Sequence, residues 1–340
     1  MSLTPKEQKI LDSIIVRSDN DPSNPEFPAD DPKFPATPTY QIEVEWFSNV
    51  WLKDESRNPT GTHKDRLAWE IVVTYTYFLK AKQWWWVTWD LPHMSIISSW
   101  SAATAIQTQL KKYNLPCLKV LVDYNIDPKY TKKLENLWAE IYLTDLSKKL
   151  LTPIEILQLT NNENGVDITS WEALDPTQRY YDRLSYEILN SSPEYCFLPF
   201  GSWNLYENLL NVNKKEISSV WKNDPRFQWD MMVLKRCHFL WATTNNPNTL
   251  AEKLYSPHLP FVHFSDQWIK IYKQSWFCGN KSQVHIVQEQ WIKKAMEVAV
   301  SQDISCEPSG IAGLALLLQM REQIPSDAMI LIVNTGKTRL

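Results

Sequence analysis

The stretch KDESRNPTGTHKDR, residues 53–66, decides the fold of this chain. Acidic residues and a Pro-Thr-Gly turn precede Lys64, at a point where a loop is expected to become a helix. The amino end of a helix carries a partial positive charge, which disfavours an ammonium group there. Partial burial acts in the same direction. The motif therefore favours an amine that has to be uncharged, as a nucleophilic lysine does, over an ordinary surface cation.

Composition limits the class of protein. The 340 residues are enough for two lobes, and the net charge of -4 argues against binding to a nucleic-acid backbone. No run approaches about 18 uncharged apolar residues, so no membrane span is expected. The first residues are amphipathic and contain acids, unlike a secretory signal.

Five scattered cysteines without Cys-x-x-Cys spacing indicate free thiols in a reducing cytoplasm. The six histidines show no metal-ligand spacing, so no metal is expected.

Strand-like and helix-like segments alternate after Lys64. MSIISS (94–99), CLKVLVDY (117–124) and AEIYLTD (139–145) have the character of buried strands, and helical patterns separate them. Further on, YCFLPF (195–200) runs into a turn and a helix, and AMILIVNTG (328–336) is a last buried strand. This alternation is typical of βαβ units on a parallel sheet and predicts an α/β protein.

The lysine motif resembles that of the fold-type II pyridoxal-phosphate enzymes, the superfamily of tryptophan synthase β, threonine synthase and cysteine synthase. Three further landmarks follow in the family's order, namely ISSWSAAT (97–104), PFGSWNL (199–205) and VNTGK (333–337). The resemblance covers about residues 40–340. It implies two lobes, each with a mostly parallel sheet flanked by helices, and pyridoxal 5'-phosphate in the cleft between them. The larger lobe would comprise 1–79 and 186–340, with an N-terminal arm at 1–40, and the smaller lobe 80–185.

Residue roles carry over position by position. Lys64 would form the Schiff base with the cofactor and act as acid and base. The cofactor phosphate would lie at the turn before a helix, where backbone N–H groups bind anions. A second loop would hold the substrate carboxylate, with Ser101 also at the cofactor ring, where the family usually has asparagine. The phosphate turn is Gly201, Ser202, Trp203 and Asn204, and the carboxylate loop is Ser98, Ser99, Trp100 and Ser101.

The hydroxyl that meets the pyridine nitrogen has two candidates. Thr335 matches the residue used in the threonine-synthase-like branch, and Ser309, in EPSGIAG, is the alternative. A neutral hydroxyl leaves that nitrogen largely unprotonated, which in this family accompanies β- or γ-elimination and replacement. The resemblance therefore implies a lyase or synthase acting on a small amino acid, closer to threonine synthase than to cysteine synthase. Relatives are often dimers.

The tryptophan content leaves an alternative open. The chain has 17 Trp and only 7 Gly, whereas glycine ordinarily makes up about 7% of residues. Trp100, Trp138, Trp203 and Trp241 stand where relatives have glycine. Either the chain is a non-catalytic member with blocked cofactor loops, or the source organism reads UGA as glycine and the written tryptophans are recoded glycines.

Overall fold

The computed structural model describes residues 3–14, 36–85, 90–98, 101–169, 180–201, 204–221, 237–255 and 282–337. Contacts divide the chain into a first unit, Met1–Pro35 with Lys64–Tyr180, and a second unit, Ala36–His63 with Tyr181–Leu340. Each unit contains one sheet whose strands are mostly parallel. The predicted α/β class with two mostly parallel sheets is confirmed. The predicted lobe limits, 79/80 and 185/186, stay a prediction.

The first unit has a four-stranded parallel sheet in the order β5-β4-β3-β6. The helices α2 and α3 pack against each other beside it. The elements are α1 (Pro5–Ser13), α2 (Lys64–Trp85), β3 (Met94–Ile97), α3 (Ser101–Lys112), β4 (Lys119–Asp123), α4 (Pro128–Asn136), β5 (Glu140–Thr144), α5 (Pro153–Leu159) and β6 (Val166–Asp167).

The second unit has a six-stranded sheet in the order β1-β2-β10-β7-β8-β9. Only β1 runs antiparallel to its neighbour among the pairings described. The elements are β1 (Thr39–Val44), β2 (Phe47–Asp54), α6 (Asp182–Asn190), β7 (Tyr195–Pro199), α7 (Asn204–Trp221), β8 (His238–Thr243), β9 (Ser282–Ile286), α8 (Glu289–Ser301), α9 (Ala312–Gln319) and β10 (Ile330–Asn334).

The central strand of the second unit's sheet is enclosed by protein, as is typical of parallel sheets. β10 is buried along its whole length, and α9 packs on β7, β8 and β10. Strands covered on both faces read as continuous apolar runs, as ILIV does in β10. The helix α9 is apolar all round and contains no charged residue, which fits a helix enclosed by protein. Burial on both sides fixes this strand in the centre of the sheet.

Three elements were not anticipated from sequence: α5, β6 and β9. The signal for α5 was present, because Thr152 and Glu155 form a capping box around Pro153 at its amino end. β6 has only two residues and is defined by its pairing with β3, so no local pattern could announce it. Among the described helices, none combines the length and apolar character needed to span a membrane.

Two tryptophans have backbone conformations that favour glycine. Trp46, in the two-residue turn between β1 and β2, has φ +74°, and Trp138, just after α4, has φ +73°. Among the residues that the structure describes, the other non-glycine residues with positive φ are Asn114, Asn161, Ser192 and Asp303, mostly of the short polar types that tolerate it. Trp241 differs, because its fully buried ring packs against Tyr206 in the core. Trp100 and Trp203 lie outside the described residues.

Candidate active site

Several predicted site residues meet at one edge of the second unit's sheet. The parallel strands β2, β10 and β7 end there, at Asp54, Asn334 and Pro199. Ligands of open α/β sheets bind at the carboxyl ends of the strands, because the loops that follow converge there. The lysine loop follows β2, Thr335 follows β10, and the turn with Gly201 follows β7.

The loop that leads into Lys64 is bonded to the segment after β10. The His63 N–H donates to the Thr335 carbonyl at 3.1 Å, and the Lys337 N–H donates to the Gly61 carbonyl at 2.8 Å. Thr62 and Gly336 form an antiparallel bridge between these contacts. Gly336 has φ +104°, and a Cβ there would overlap the Gly61 carbonyl. The close approach of the two segments therefore requires glycine at 336.

A buried polar network holds this edge beneath the loops. The Asn334 side-chain amide donates to the Asp54 carboxylate at 2.9 Å and to the Ser305 carbonyl at 3.0 Å, and its oxygen accepts the Gly336 N–H at 3.0 Å. The other Asp54 oxygen accepts from the Arg57 guanidinium at 3.1 Å. Asp54 and Asn334 are both fully buried. Their removal would leave buried groups unsatisfied, so they position the two loops.

The amine of Lys64 has the property that the sequence predicted. Lys64 is the first residue of α2, directly after His63. The residue as a whole is half-buried, yet burial of its amino group lowers the pKa to about 8. Desolvation disfavours the ammonium form, so a much larger fraction of Lys64 is neutral near pH 8 than for an ordinary lysine. A lowered amine pKa is the shift that a nucleophilic lysine requires.

The two candidates for the pyridine contact have different surroundings. Ser309 is buried, and its hydroxyl accepts the Lys253 N–H at 3.1 Å. Thr335 is half-buried, and its backbone N–H donates to the Gly310 carbonyl at 3.0 Å. Within the part of the chain described, the Thr335 hydroxyl has no hydrogen-bond partner. Thr335 is therefore the more exposed of the two residues, and the choice between them stays a prediction.

The turn after β7 is only partly described. Gly201 lies against the Lys253 carbonyl, which a Cβ at position 201 would meet at 2.9 Å. Lys253 also contacts Ser309, so Gly201 and Ser309 belong to the same neighbourhood. Asn204 is the first residue of α7, an 18-residue helix whose amino end can receive an anion. Ser202 and Trp203, the middle of the predicted phosphate turn, lie outside the described residues.

The predicted carboxylate loop belongs to the first unit. Ser98 follows β3 and is buried, and its hydroxyl accepts the Ala103 N–H at 3.3 Å. Ser101 is the first residue of α3 and is half-buried. The Ser98 hydroxyl therefore bonds the first turn of α3. Ser99 and Trp100, between them, lie outside the described residues.

Sequence reasoning missed the residues that support the site from below. Asp54, Glu55 and Asn334 lie within the quoted landmark segments, but nothing in those segments indicated a supporting role for them. The Glu55 carboxylate is fully buried and accepts from the Asn58 side chain at 2.8 Å, which shapes the loop before Lys64. The His63 ring packs on Tyr181 with centroids 5.4 Å apart. Burial of charged residues next to a strand end could have indicated this role, but burial is not visible in sequence.

The groups described suit pyridoxal phosphate. An amine with a lowered pKa matches the aldehyde, a half-buried hydroxyl without a partner among the described residues matches the ring nitrogen, and a turn at the start of a long helix matches the phosphate. Thr335 and the turn with Gly201 follow the carboxyl ends of strands in the second unit, and Lys64 begins the helix that comes after the loop following β2.

Comparison with known proteins agrees with this chemistry. The sequence matches the family described as "Pyridoxal-phosphate dependent enzyme" over residues 34–336. No curated protein matches the sequence. Similar solved structures include O-ureido-L-serine synthase, with 15% identity, a TM-score of 0.62 and coverage of 89% of each chain.

Two other solved structures are comparably similar. Diaminopropionate ammonia lyase from Escherichia coli has 13% identity and a TM-score of 0.59, with 89% of this chain and 84% of that chain covered. Serine racemase from Dictyostelium discoideum has 14% identity and a TM-score of 0.58, with 86% and 87% covered. Identity this low shows a shared fold only. The family match and the fold together establish that this chain belongs to the fold-type II pyridoxal-phosphate-dependent enzymes, with pyridoxal 5'-phosphate as its cofactor.

Proposed function

We propose that the protein catalyses β- or γ-elimination or replacement on a small amino acid, in the manner of threonine synthase or cysteine synthase. Lys64 attaches the cofactor and moves protons. The single observation that carries this proposal is the position of Thr335. This residue joins the loop that leads into Lys64, and its hydroxyl is free of partners among the described residues.

The bound cofactor supplies an electron sink for negative charge that develops at the substrate α-carbon. The Lys64 amine takes the proton from that carbon, and its pKa of about 8 lies close to the pH at which a general base works best. The Thr335 hydroxyl is neutral and does not titrate in this range. A neutral partner leaves the ring nitrogen largely unprotonated, which weakens the sink and favours loss of a leaving group over transamination.

The substrate is expected to carry its leaving group at the β- or γ-carbon. Ser98 and Ser101 would bind its carboxylate at the amino end of α3, where backbone N–H groups point toward an anion. Gly201 and Asn204, with Ser202 and Trp203, would bind the cofactor phosphate. The similar solved structures are those of O-ureido-L-serine synthase, diaminopropionate ammonia lyase and serine racemase. That range supports the substrate class and leaves the leaving group to be measured.

The attachment site is tested first. The purified holoenzyme is reduced with borohydride, digested and mapped by mass spectrometry, with Lys53 as an internal control because it is a buried lysine in an ion pair with Glu187. We expect the cofactor label on Lys64 and none on Lys53. Label on another lysine, or none in cofactor-loaded protein, would refute the role of Lys64.

The reaction class is tested next. The holoenzyme is assayed with O-phosphohomoserine, O-acetylserine, serine, threonine and 2,3-diaminopropionate, and both released groups and substrate enantiomers are measured. We expect turnover of at least one substrate with release of its leaving group. Racemisation without release would contradict the proposed reaction while leaving the cofactor assignment intact.

We further expect a homodimer in solution, which size-exclusion chromatography would check, and a cytoplasmic location, which cell fractionation would check.

A further inference from the structure

A second cluster of reactive side chains lies in the first unit, at the amino edge of its sheet. His93 immediately precedes β3, Cys117 lies two residues before β4, and Glu140 is the first residue of β5. These three strands are neighbours and parallel, so their amino ends share one edge. Ser98 follows the carboxyl end of β3, so the cluster is at the opposite edge of the sheet from the predicted substrate loop.

The three side chains converge on one point. One ring nitrogen of His93, the Cys117 sulfur and one Glu140 oxygen all lie within 4.8 Å of one another. The Cys117 thiol donates to the Glu140 Oε1 at 3.1 Å and lies 3.7 Å from the His93 Nδ1. Ligands of tetrahedral zinc, bound at about 2.0 to 2.3 Å, are roughly 3.5 Å apart. The two separations from the Cys117 sulfur lie on either side of that spacing, and the His93 and Glu140 atoms lie within 4.8 Å of each other, so side-chain shifts would bring all three onto a cation.

We infer that His93, Cys117 and Glu140 form a binding site for a divalent transition metal, with zinc the best match. Imidazole nitrogen and thiolate sulfur together favour zinc over magnesium or calcium, which prefer oxygen ligands. Three protein ligands leave one position of a tetrahedron for water. The metal would join the amino ends of three neighbouring strands and so act on the stability of the first unit.

The groups around the cluster orient the carboxylate. The Glu140 Oε2 accepts from the Tyr142 hydroxyl at 2.8 Å and lies 3.6 Å from the Lys119 amine. That amine also donates to the Asn161 carbonyl at 2.6 Å. The second oxygen is thereby held, and Oε1 is turned toward the thiol, which is the arrangement of a one-oxygen ligand with supporting partners. The positive charge of Lys119 opposes a cation and sets a limit on its affinity.

The other readings of the cluster are weaker. A reactive cysteine needs an electropositive setting, but the Cys117 thiol lies against the Glu140 carboxylate, to which it donates. The His93 Nδ1 lies 3.0 Å from the Cys117 carbonyl, a contact that is kept if Nε2 binds the metal and given up if Nδ1 does. A hydrogen bond between Cys117 and Glu140 without a metal does not account for the nearby ring of His93.

Cobalt titration of the holoenzyme tests the site directly. Co²⁺ replaces zinc in such sites, and a thiolate ligand gives a near-ultraviolet charge-transfer band that is read as a difference against the cofactor absorbance. We expect one Co²⁺ per chain, and loss of the band in Cys117→Ser. Cys306→Ser, which changes a buried thiol in the second unit, is the control and should keep the band. Absence of the band at millimolar Co²⁺, or its survival in Cys117→Ser, would overturn the inference.

Zinc affinity, measured by competition with a chromogenic chelator, tests the site in variants that keep the cysteine. His93→Gln and Glu140→Gln should each weaken binding at least 10-fold, whereas His238→Gln and Glu135→Gln should not. Lys119→Met should tighten binding, because it removes a positive charge beside a ligand. Equal affinity in all five variants would overturn the site. Retained cofactor absorbance shows that each variant has folded.

Discussion

Replacing Trp138 by glycine is expected to stabilise the protein. Trp138 directly follows Leu137, the residue that caps the carboxyl end of α4, and has φ +73°. Its N–H donates to the Glu135 carbonyl at 2.8 Å, and the next N–H, of Ala139, donates to the Leu134 carbonyl at 3.0 Å. These paired bonds form a Schellman motif, in which the left-handed position is most often glycine.

The magnitude follows from three opposing contributions. A left-handed backbone costs a non-glycine residue about 1–2 kcal/mol. Glycine loses more chain entropy on folding, about 0.5–1 kcal/mol. Trp138 is 66% exposed, so its replacement loses little burial. The change also removes the Lys111 amine contact, 4.1 Å from the ring centroid, worth about 0.5 kcal/mol at an exposed site. Together these contributions predict that Trp138→Gly raises the free energy of unfolding by up to about 1 kcal/mol.

The assay is urea unfolding of the apoenzyme, with Trp84→Gly as the matched control. Trp84 is also an exposed tryptophan in the first unit, but it lies within α2, where glycine costs about 0.5–1 kcal/mol. The difference between the two variants should therefore be about 0.5–2 kcal/mol in favour of Trp138→Gly. Trp46→Gly, at φ +74°, should behave like Trp138→Gly. A Trp138→Gly protein no more stable than Trp84→Gly would refute the backbone argument.

The same reasoning makes a prediction about the gene. If glycine is what the cell places at these positions, the coding DNA has TGA at codons 46 and 138, and mass spectrometry of the native protein shows glycine there. TGG at both codons would reject recoding and would identify the two tryptophans as genuine residues in a strained conformation.

Four further outcomes are expected. Lys64→Met should abolish cofactor attachment and visible absorbance, with Lys53→Met as a control for loss of a buried lysine. The pKa of Lys64 is about 8 in the folded protein and about 10.4 in the unfolded chain, so the unfolded chain binds more protons between these pH values. The free energy of unfolding of the apoenzyme should therefore rise with pH across that window, and Lys64→Met should flatten the rise. Thr335→Val should lower kcat roughly 10-fold while Thr335→Ser retains most activity, since a single hydrogen bond of about 1–1.5 kcal/mol is lost; equal kcat in both variants would contradict the hydroxyl's role. Asp54→Asn should destabilise the protein by roughly 2 kcal/mol in urea unfolding, and the exposed Asp327→Asn by less than about 0.5 kcal/mol.

Local chemistry in the sequence was enough for the class of protein and for its main nucleophile. Alternating strands and helices predicted an α/β protein, because apolar runs and periodicities are local properties. The lysine motif, followed in order by the three loop landmarks, indicated the cofactor and Lys64. Elements such as β6 and the exact strand neighbours depend on pairing between distant segments and could not be obtained in this way.

Tertiary structure decided which groups meet. Thr335 and His63 are 272 residues apart, and parallel pairing of β10 with β2 brings them into contact. His93, Cys117 and Glu140 show no ligand spacing along the chain, yet three adjacent strands place them at one edge. The left-handed backbone of Trp138 likewise follows from the way α4 ends before β5. Sequence specifies side-chain chemistry, whereas proximity and backbone angles arise from burial and strand register, which the whole chain determines together.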